Sequence, residues 1–180
     1  GWGGGNPPPT PRVTEQSLQE RYAARSTCFG CGPANAGGLR IRSFPRERGS
    51  KGTEPPATEQ AGEVVLRFRA RAEHEAFPGY LSGGIAGTLV DCHMNWAAVH
   101  ALMRRTGLDS APCTVTAEYS IRFTRPIPTA GEIEVVARPI DVKDDRATVE
   151  ATIVAGGKDC ATARGTFVAV KAGHPAFHRW

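Results

Sequence analysis

The chain has 180 residues, of which 40% are apolar and 22% charged, and its net charge is +4. This balance is typical of one globular domain with a substantial core. No apolar run approaches the roughly 18 residues of a transmembrane helix, so we expect no membrane span. The positive charges are scattered and no nucleic-acid-binding motif accompanies them, so we also expect no nucleic-acid partner.

The first 25 residues predict an N-terminal arm and a short helix. The opening GWGGGNPPPTPR has neither the basic nor the apolar part of a signal peptide. A short helix is predicted over 13–24, with Thr14 as its N-cap and with Val13 and Leu18 forming a hydrophobic staple.

Five cysteines are present: Cys28, Cys31, Cys92, Cys113 and Cys160. An odd number without a secretion signal favours free thiols and a cytoplasmic location. A structural zinc site needs about four ligands, and the C-x-x-C pair at Cys28 and Cys31 has no second pair. A redox motif should open a helix, whereas Gly32 and Pro33 follow here. We expect a tight turn with half-buried thiols, and no metal.

Residues 26–172 are predicted to form the main domain, and 173–180 a tail. Early strands are expected at 39–44 and 64–69, separated by a polar surface loop at 45–62.

Four later strands are predicted at 115–124, 133–138, 146–154 and 160–170, with a hairpin turn in AGGKD. Short connections make these strands antiparallel. One long helix must then cover one face of the sheet, which gives an α+β fold.

The long helix is predicted over 83–104. Apolar residues recur every three or four positions and form one stripe: Ile85, Leu89, Cys92, Trp96, Val99 and Met103. A second stripe, about 100° away, is small and polar and carries Gly84, Asp91 and Asn95, flanked by Gly87 and Thr88.

The polar stripe has two interpretations. Small residues there could simply allow close packing, with Asp91 capping or pairing another group. Alternatively, the unsatisfied N–H groups of the first helical turn, which glycines leave accessible, could polarise a carbonyl oxygen near Gly84. Asp91 would then act as base or nucleophile.

Spacing decides how such a site could work. Gly84 and Asp91 are seven residues apart, or about 10 Å along the helix axis. One chain therefore cannot bring both groups to one carbonyl. Two antiparallel copies of the helix could, which favours a two-fold dimer.

The segment FPGYLSGGIAGTLVD resembles the PaaI-type hotdog-fold thioesterases, whose motif is Pro-Gly, then His-Gly-Gly, then an aspartate at the same offset. CFGCGPANAGGLRI, VTAEYSIRFTRPIP and GKDCATARGTFVAV are similar to other parts of that family, in the same order. The resemblance covers about residues 26 to 170.

The resemblance implies a hotdog fold, in which an antiparallel sheet wraps around one long helix. It also implies a homodimer or homotetramer that hydrolyses acyl-CoA thioesters without a cofactor beyond the coenzyme A of the substrate. By the family's motif, Asp91 is the general base or nucleophile, the Gly84 amide polarises the thioester carbonyl, and Thr116 orients the attacking water.

Four further positions are expected to contact the substrate. Gly83 and Asn95 lie on the helix near the motif. Arg122 and Arg125 lie where cationic contacts to the phosphates of coenzyme A are expected.

Ser82 departs from the family, which has histidine at this position. Its hydroxyl could cap the helix by accepting from the N–H of Gly84 or Ile85. It could instead help to hold the thioester or water. A role as nucleophile is disfavoured, because the G-x-S-x-G elbow and a nearby histidine base are missing.

The two nearest histidines are not expected to be catalytic. His93 lies about 200° around the helix from Asp91, so we expect it to pack against the sheet or bond to it. His74 is expected in a loop before the Pro-Gly turn.

Two other functions remain open at this point. The missing histidine also suits a hotdog protein that binds an acyl-CoA or acyl carrier without hydrolysing it. A hydratase or dehydratase on the same fold usually requires a His–Asp or His–Glu pair at the site, and no such pair is evident. The acyl group, and dimer versus tetramer, are open as well.

Overall fold

The structure is a computed structural model that describes residues 16–46 and 62–178. Within these ranges the helices are α1 (Leu18–Tyr22) and α2 (Gly83–Thr106), with a 3-10 turn at Ala72–His74. The strands are β1 (Ser43–Pro45), β2 (Val64–Phe68), β3 (Glu75–Phe77), β4 (Tyr80–Leu81), β5 (Thr114–Phe123), β6 (Ile133–Val142), β7 (Arg146–Ala155) and β8 (Lys158–Ala169).

In the described residues, six strands form one antiparallel sheet in the order β1-β2-β6-β7-β8-β5. The predicted hairpin joins β7 to β8, where Gly156 and Gly157 have φ of 57° and 73°. Two consecutive left-handed residues match the right-handed twist of the flanking strands, which explains the paired glycines. The short β1 forms one edge of the sheet, and the ten-residue β5 forms the other.

Helix α2 packs across one face of this sheet and ends at Gly107, a left-handed C-cap with φ of 68°. Leu89, Trp96 and Val99 of the predicted stripe are buried. The prediction of an α+β fold with one long helix against an antiparallel sheet is confirmed. Among the described residues, no helix is long and apolar enough to cross a membrane.

The helix is buried more completely than one apolar stripe predicts. Its middle is apolar on other faces too, at Ala86, Val90, Met94, Ala97 and Ala98. The loop after α1 covers part of the helix, since the Trp96 indole Nε1 donates to Cys31 Sγ at 3.3 Å. A helix that is apolar on most sides is expected in a core position.

The predicted start of the first helix is wrong. Its N-cap is Ser17, and Val13 and Thr14 lie outside the described residues. Ser17 Oγ accepts from the Glu20 N–H at 3.2 Å, while Glu20 Oε2 accepts from the Ser17 N–H at 3.0 Å. This reciprocal capping box satisfies two helix-start amides, and its Ser-x-x-Glu signature is the stronger sequence signal.

The first predicted strand is also misplaced. Before β1, the chain pairs with the preceding loop, because the N–H groups of Leu39 and Ile41 donate to the carbonyls of Phe29 and Gly30. Arg40 between them has a left-handed φ of 53°, which breaks an extended strand. The predicted loop at 45–62 lies mostly outside the described residues. The strand predicted at 64–69 is confirmed as β2.

A buried hydrogen-bond network ties α1, β1, β2 and α2 together. The Gln19 side chain donates to Ser43 Oγ at 2.9 Å and accepts from the Ser43 N–H at 2.8 Å. Ser43 Oγ lies 2.8 Å from His93 Nδ1, and His93 Nε2 lies 2.9 Å from the Val64 carbonyl. A carbonyl can only accept, so Nε2 carries the proton. The expectation that His93 bonds to the sheet is confirmed.

Burial lowers the pKa of His93 to about 4, which keeps the ring neutral. In the neutral ring, the Nε2–H donates to the Val64 carbonyl and the unprotonated Nδ1 accepts from the Ser43 hydroxyl, so both ring nitrogens have a partner. The network is therefore structural, and His93 is not available as a base.

We expect Ser43→Ala to lower the free energy of unfolding by about 1–3 kcal/mol, because it leaves Gln19 and His93 buried with unsatisfied polar atoms. Urea unfolding followed by circular dichroism measures this. Ser110→Ala, at an exposed position, is the matched control and should change stability by less than about 0.5 kcal/mol. Equal effects of both variants would contradict the network's role.

Candidate active site

Helix α2 begins at an exposed glycine pair. Ser82 is the N-cap: its N–H donates to the His74 carbonyl and its carbonyl accepts from the Ala86 N–H, both at 2.9 Å. Its hydroxyl makes no cap hydrogen bond, so the structure does not support the alternative in which Ser82 accepts from the N–H of Gly84 or Ile85. Gly83 and Gly84 are exposed, and the Ser82 hydroxyl does not occupy the Gly84 amide.

Asp91 lies two turns further along α2 and is held by the sheet. Thr116 Oγ1 donates to Asp91 Oδ1 at 2.7 Å, so the structure brings these two predicted site residues together. Partial burial raises the pKa of Asp91, the Thr116 hydrogen bond lowers it, and negative charge at Cys28 raises it. The carboxyl group thus binds a proton more tightly than an exposed aspartate does, which suits a general base.

A β-bulge in β5 turns Thr116 toward the helix. Pairing with β8 shifts by one residue between Thr116 and Glu118. Before the bulge, Thr114 and Thr116 bond to α2. After it, Tyr119 and Phe123 face α2, since a Cβ on Gly87 would lie 3.2 Å from the Tyr119 hydroxyl. Bulges near active sites commonly re-aim side chains in this way.

Asn95 lies one turn beyond Asp91 and is buried. Its Oδ1 accepts from Thr114 Oγ1 at 2.7 Å, so this polar atom is already paired with β5. The substrate contact expected of Asn95 stays a prediction.

An open cavity of about 450 Å³ lies at the start of α2. Gly83 and Arg125, two predicted site residues, line it together with Phe77, Tyr80 and Phe123. The aromatic side chains are partly exposed, at 57%, 39% and 48% respectively. Sequence alternation places Phe123 on a strand, but nothing in the local pattern links it to Phe77 or Tyr80 some forty residues earlier.

The structure separates the two predicted arginines. Arg125 lines the cavity at the helix start, and its Nη1 donates to the Asp159 carbonyl at 2.6 Å. Arg122 lies in a different depression, beside Glu150 and Arg164 on neighbouring strands. Among the described residues, the two arginines line different cavities.

The loop that carries the C-x-x-C pair packs against α2 beside Asp91. The predicted tight turn is confirmed, because the Gly32 N–H donates to the Cys28 carbonyl at 2.9 Å. Cys28 is half-buried as expected, whereas Cys31 is buried. A Cβ on Gly30 would lie 2.3 Å from Cys92 Sγ, so the loop backbone lies directly on the helix.

A family model described as the thioesterase-like superfamily matches residues 81–176, which is more than half of the chain. The protein belongs to the thioesterase-like superfamily. The matched residues include the glycine pair, Asp91, Thr116 and strands β5 to β8. A search of curated proteins found no match to the sequence.

Solved structures show the same fold. A thioesterase superfamily protein from Shewanella loihica is 24% identical, with a TM-score of 0.56 over 77% of this chain and 98% of its own. Thioesterase HI1161 from Haemophilus influenzae is 16% identical, with a TM-score of 0.57 over 76% and 84%. The PaaI protein from the E. coli phenylacetic acid degradation operon is 18% identical, with a TM-score of 0.52 over 61% and 74%. The fold is thus the expected hotdog fold.

We expect Gly30→Ala to destabilise the protein by about 1–3 kcal/mol, because the new methyl group would overlap Cys92 Sγ and Thr88 Cγ2. Gly37→Ala in the same loop is the control, since its Cβ would meet Asn35 Oδ1 at an ordinary 3.5 Å. Thermal unfolding of both variants measures the difference. A Gly30→Ala protein as stable as the control would show that the loop does not pack on α2 as described.

Proposed function

We propose that the protein hydrolyses an acyl-CoA thioester to a free acid and coenzyme A, with water activated by Asp91. The observation that carries this proposal is the half-buried Asp91 carboxylate, oriented by Thr116 on the helix that begins with the exposed Gly83–Gly84 pair. Membership of the thioesterase-like superfamily supports thioester hydrolysis as the class of reaction.

The chemistry follows from these groups. Asp91 accepts a proton from water as the water oxygen attacks the thioester carbonyl carbon. The carbonyl oxygen gains negative charge, which the free N–H of Gly84 at the helix start stabilises. The C–S bond then breaks, the acid forms, and the coenzyme A thiolate takes up the proton that Asp91 received.

We propose a homodimer as the active unit. The Gly84 amide and Asp91 lie about 10 Å apart along one regular helix, too far to act on one carbonyl. Strand β5 is a ten-residue edge, and residues 116–120 on it are exposed. A long unpaired edge is a template for pairing with another chain. A second copy across this edge would bring its Asp91 toward the first chain's helix start, and two such dimers could form a tetramer.

We place the acyl group in the cavity at the helix start. Phe77, Tyr80 and Phe123 give it an apolar wall next to the Gly83 end of α2. Arg125 lines the same cavity, so it is better placed than Arg122 to bind a phosphate of coenzyme A. Arg122 would have to contact the substrate from another surface of the protein. All five cysteines are free, which agrees with the cytoplasmic location that we infer for the protein.

A second candidate function is acyl-CoA binding without hydrolysis. Ser82 favours it, because the family's histidine is replaced by a hydroxyl that makes no cap hydrogen bond. This candidate uses the same cavity and the same dimer, and it differs only in whether Asp91 activates water.

We expect Asp91→Asn to lower kcat/KM for acyl-CoA hydrolysis by about 10²–10⁴-fold, the usual contribution of a positioned base. A panel of acyl-CoA substrates with a thiol-detecting dye measures this. Asp109→Asn, which changes an exposed carboxylate, should keep full activity.

Two outcomes would contradict the assignment. Full activity of Asp91→Asn on every good substrate would remove Asp91 from the reaction. Tight acyl-CoA binding by calorimetry with no thiol release from the unaltered protein would favour the binding function instead.

We expect Thr116→Val to lower kcat by roughly tenfold or more, because a hydrogen bond to a charged group contributes about 1.5–3 kcal/mol. Thr116→Ser keeps a hydroxyl within reach of Asp91 and should recover most of the activity. If valine and serine variants had equal kcat, the Thr116 hydroxyl would have no part in orienting Asp91 or the water.

A further inference from the structure

Three of the five cysteines converge beside Asp91. Cys28 and Cys31 come from the loop after α1, and Cys92 comes from α2. Their three Sγ atoms all lie within 4.8 Å of one another, and Cys28 Sγ is 3.9 Å from Cys92 Sγ. Cys92 is the third thiol that the sequence pattern of one C-x-x-C pair did not reveal.

We propose that Cys28, Cys31 and Cys92 form a binding site for a thiophilic metal ion of the zinc class. Zinc binds cysteine sulfur at about 2.3 Å with tetrahedral angles, which places ligand sulfurs about 3.8 Å apart. The Cys28–Cys92 separation already has this value, and the widest pair needs to close by about 1 Å at most.

The cluster is held in place before any ion arrives. Gly30 lies directly on Cys92, so the loop backbone positions the Cys28 and Cys31 side chains against α2. The Trp96 indole Nε1 donates to Cys31 Sγ at 3.3 Å, which fixes the position of this sulfur beside α2.

The other two cysteines provide a contrast. Cys113 Sγ accepts from the His178 N–H at 3.2 Å, and Cys160 Sγ donates to the backbone carbonyls of Ala155 and Lys158. These buried thiols are bonded to the main chain, whereas the cluster thiols contact each other. Convergence of three sulfurs is therefore specific to the loop and α2.

Metal binding here would be a proton exchange. Each cysteine binds the ion as a thiolate, so every ligand that is still protonated releases its proton to solvent, and three thiolates around Zn²⁺ leave a net charge of −1. Cys28 is half-buried, so a water molecule from solvent can complete the usual four ligands. The bound ion would join the loop to α2 next to Asp91, independently of whether Asp91 catalyses hydrolysis.

Equilibrium dialysis of the reduced 180-residue chain against Zn²⁺ tests the proposal. We expect one Zn²⁺ per chain, a rise in Tm with added Zn²⁺, and sulfur-to-metal charge-transfer absorption when Cd²⁺ replaces it. Cys28→Ser, Cys31→Ser and Cys92→Ser should each weaken Zn²⁺ binding at least about tenfold. Cys113→Ser and Cys160→Ser are matched controls that should bind as the unaltered protein does.

Several results would overturn the proposal. The first is that the reduced protein binds neither Zn²⁺ nor Cd²⁺. This result counts against the proposal even if the cluster thiols had formed a disulfide before reduction. The second is equal Zn²⁺ binding by the cluster variants and the controls. If Cys31→Ser fails to fold because Cys31 is buried, the half-buried Cys28→Ser alone decides the question, with its fold checked by circular dichroism.

Discussion

A polar side chain on a helix that is buried on most sides is stabilised where another element supplies a hydrogen-bond partner. Helix α2 has three such residues in five positions, and each has its own partner. Asp91 bonds to Thr116, His93 to Ser43 and Val64, and Asn95 to Thr114. These bonds fix the rotation of α2 relative to both edges of the sheet. The position of the carboxylate is therefore a consequence of how the whole domain packs.

The bulge in β5 divides the surface beside α2 into two parts. On one side of it, Thr114 and Thr116 present hydroxyl groups to Asn95 and Asp91. On the other side, the aromatic rings of Tyr119 and Phe123 lie beside the glycines of the helix start. A regular strand would have turned either the threonines or the aromatic residues away from the helix. One extra residue thus places a polar wall and an apolar wall along the same helix.

The sequence predicted what depends on local period and turn chemistry. The start of α2 at Gly83, strand β2, the four later strands and the Gly-Gly hairpin all follow from such patterns, because burial selects residues at fixed spacings. Features that depend on distant contacts were missed. The bulge in β5 is one such feature, since a one-residue bulge leaves no compositional mark. Cys28 and Cys92 meet across 64 positions, and no local pattern could relate them.

One chain is an incomplete unit for the proposed reaction. Gly84 and Asp91 are fixed on one rigid helix, so no loop movement within the chain can bring the amide and the carboxylate to one carbonyl. A two-fold axis can do so, because it can place the Gly84 amide of one chain near the Asp91 carboxylate of the other chain. The exposed edge of β5 carries Thr116, which holds Asp91. Pairing at that edge would therefore complete the sheet and the site in a single step.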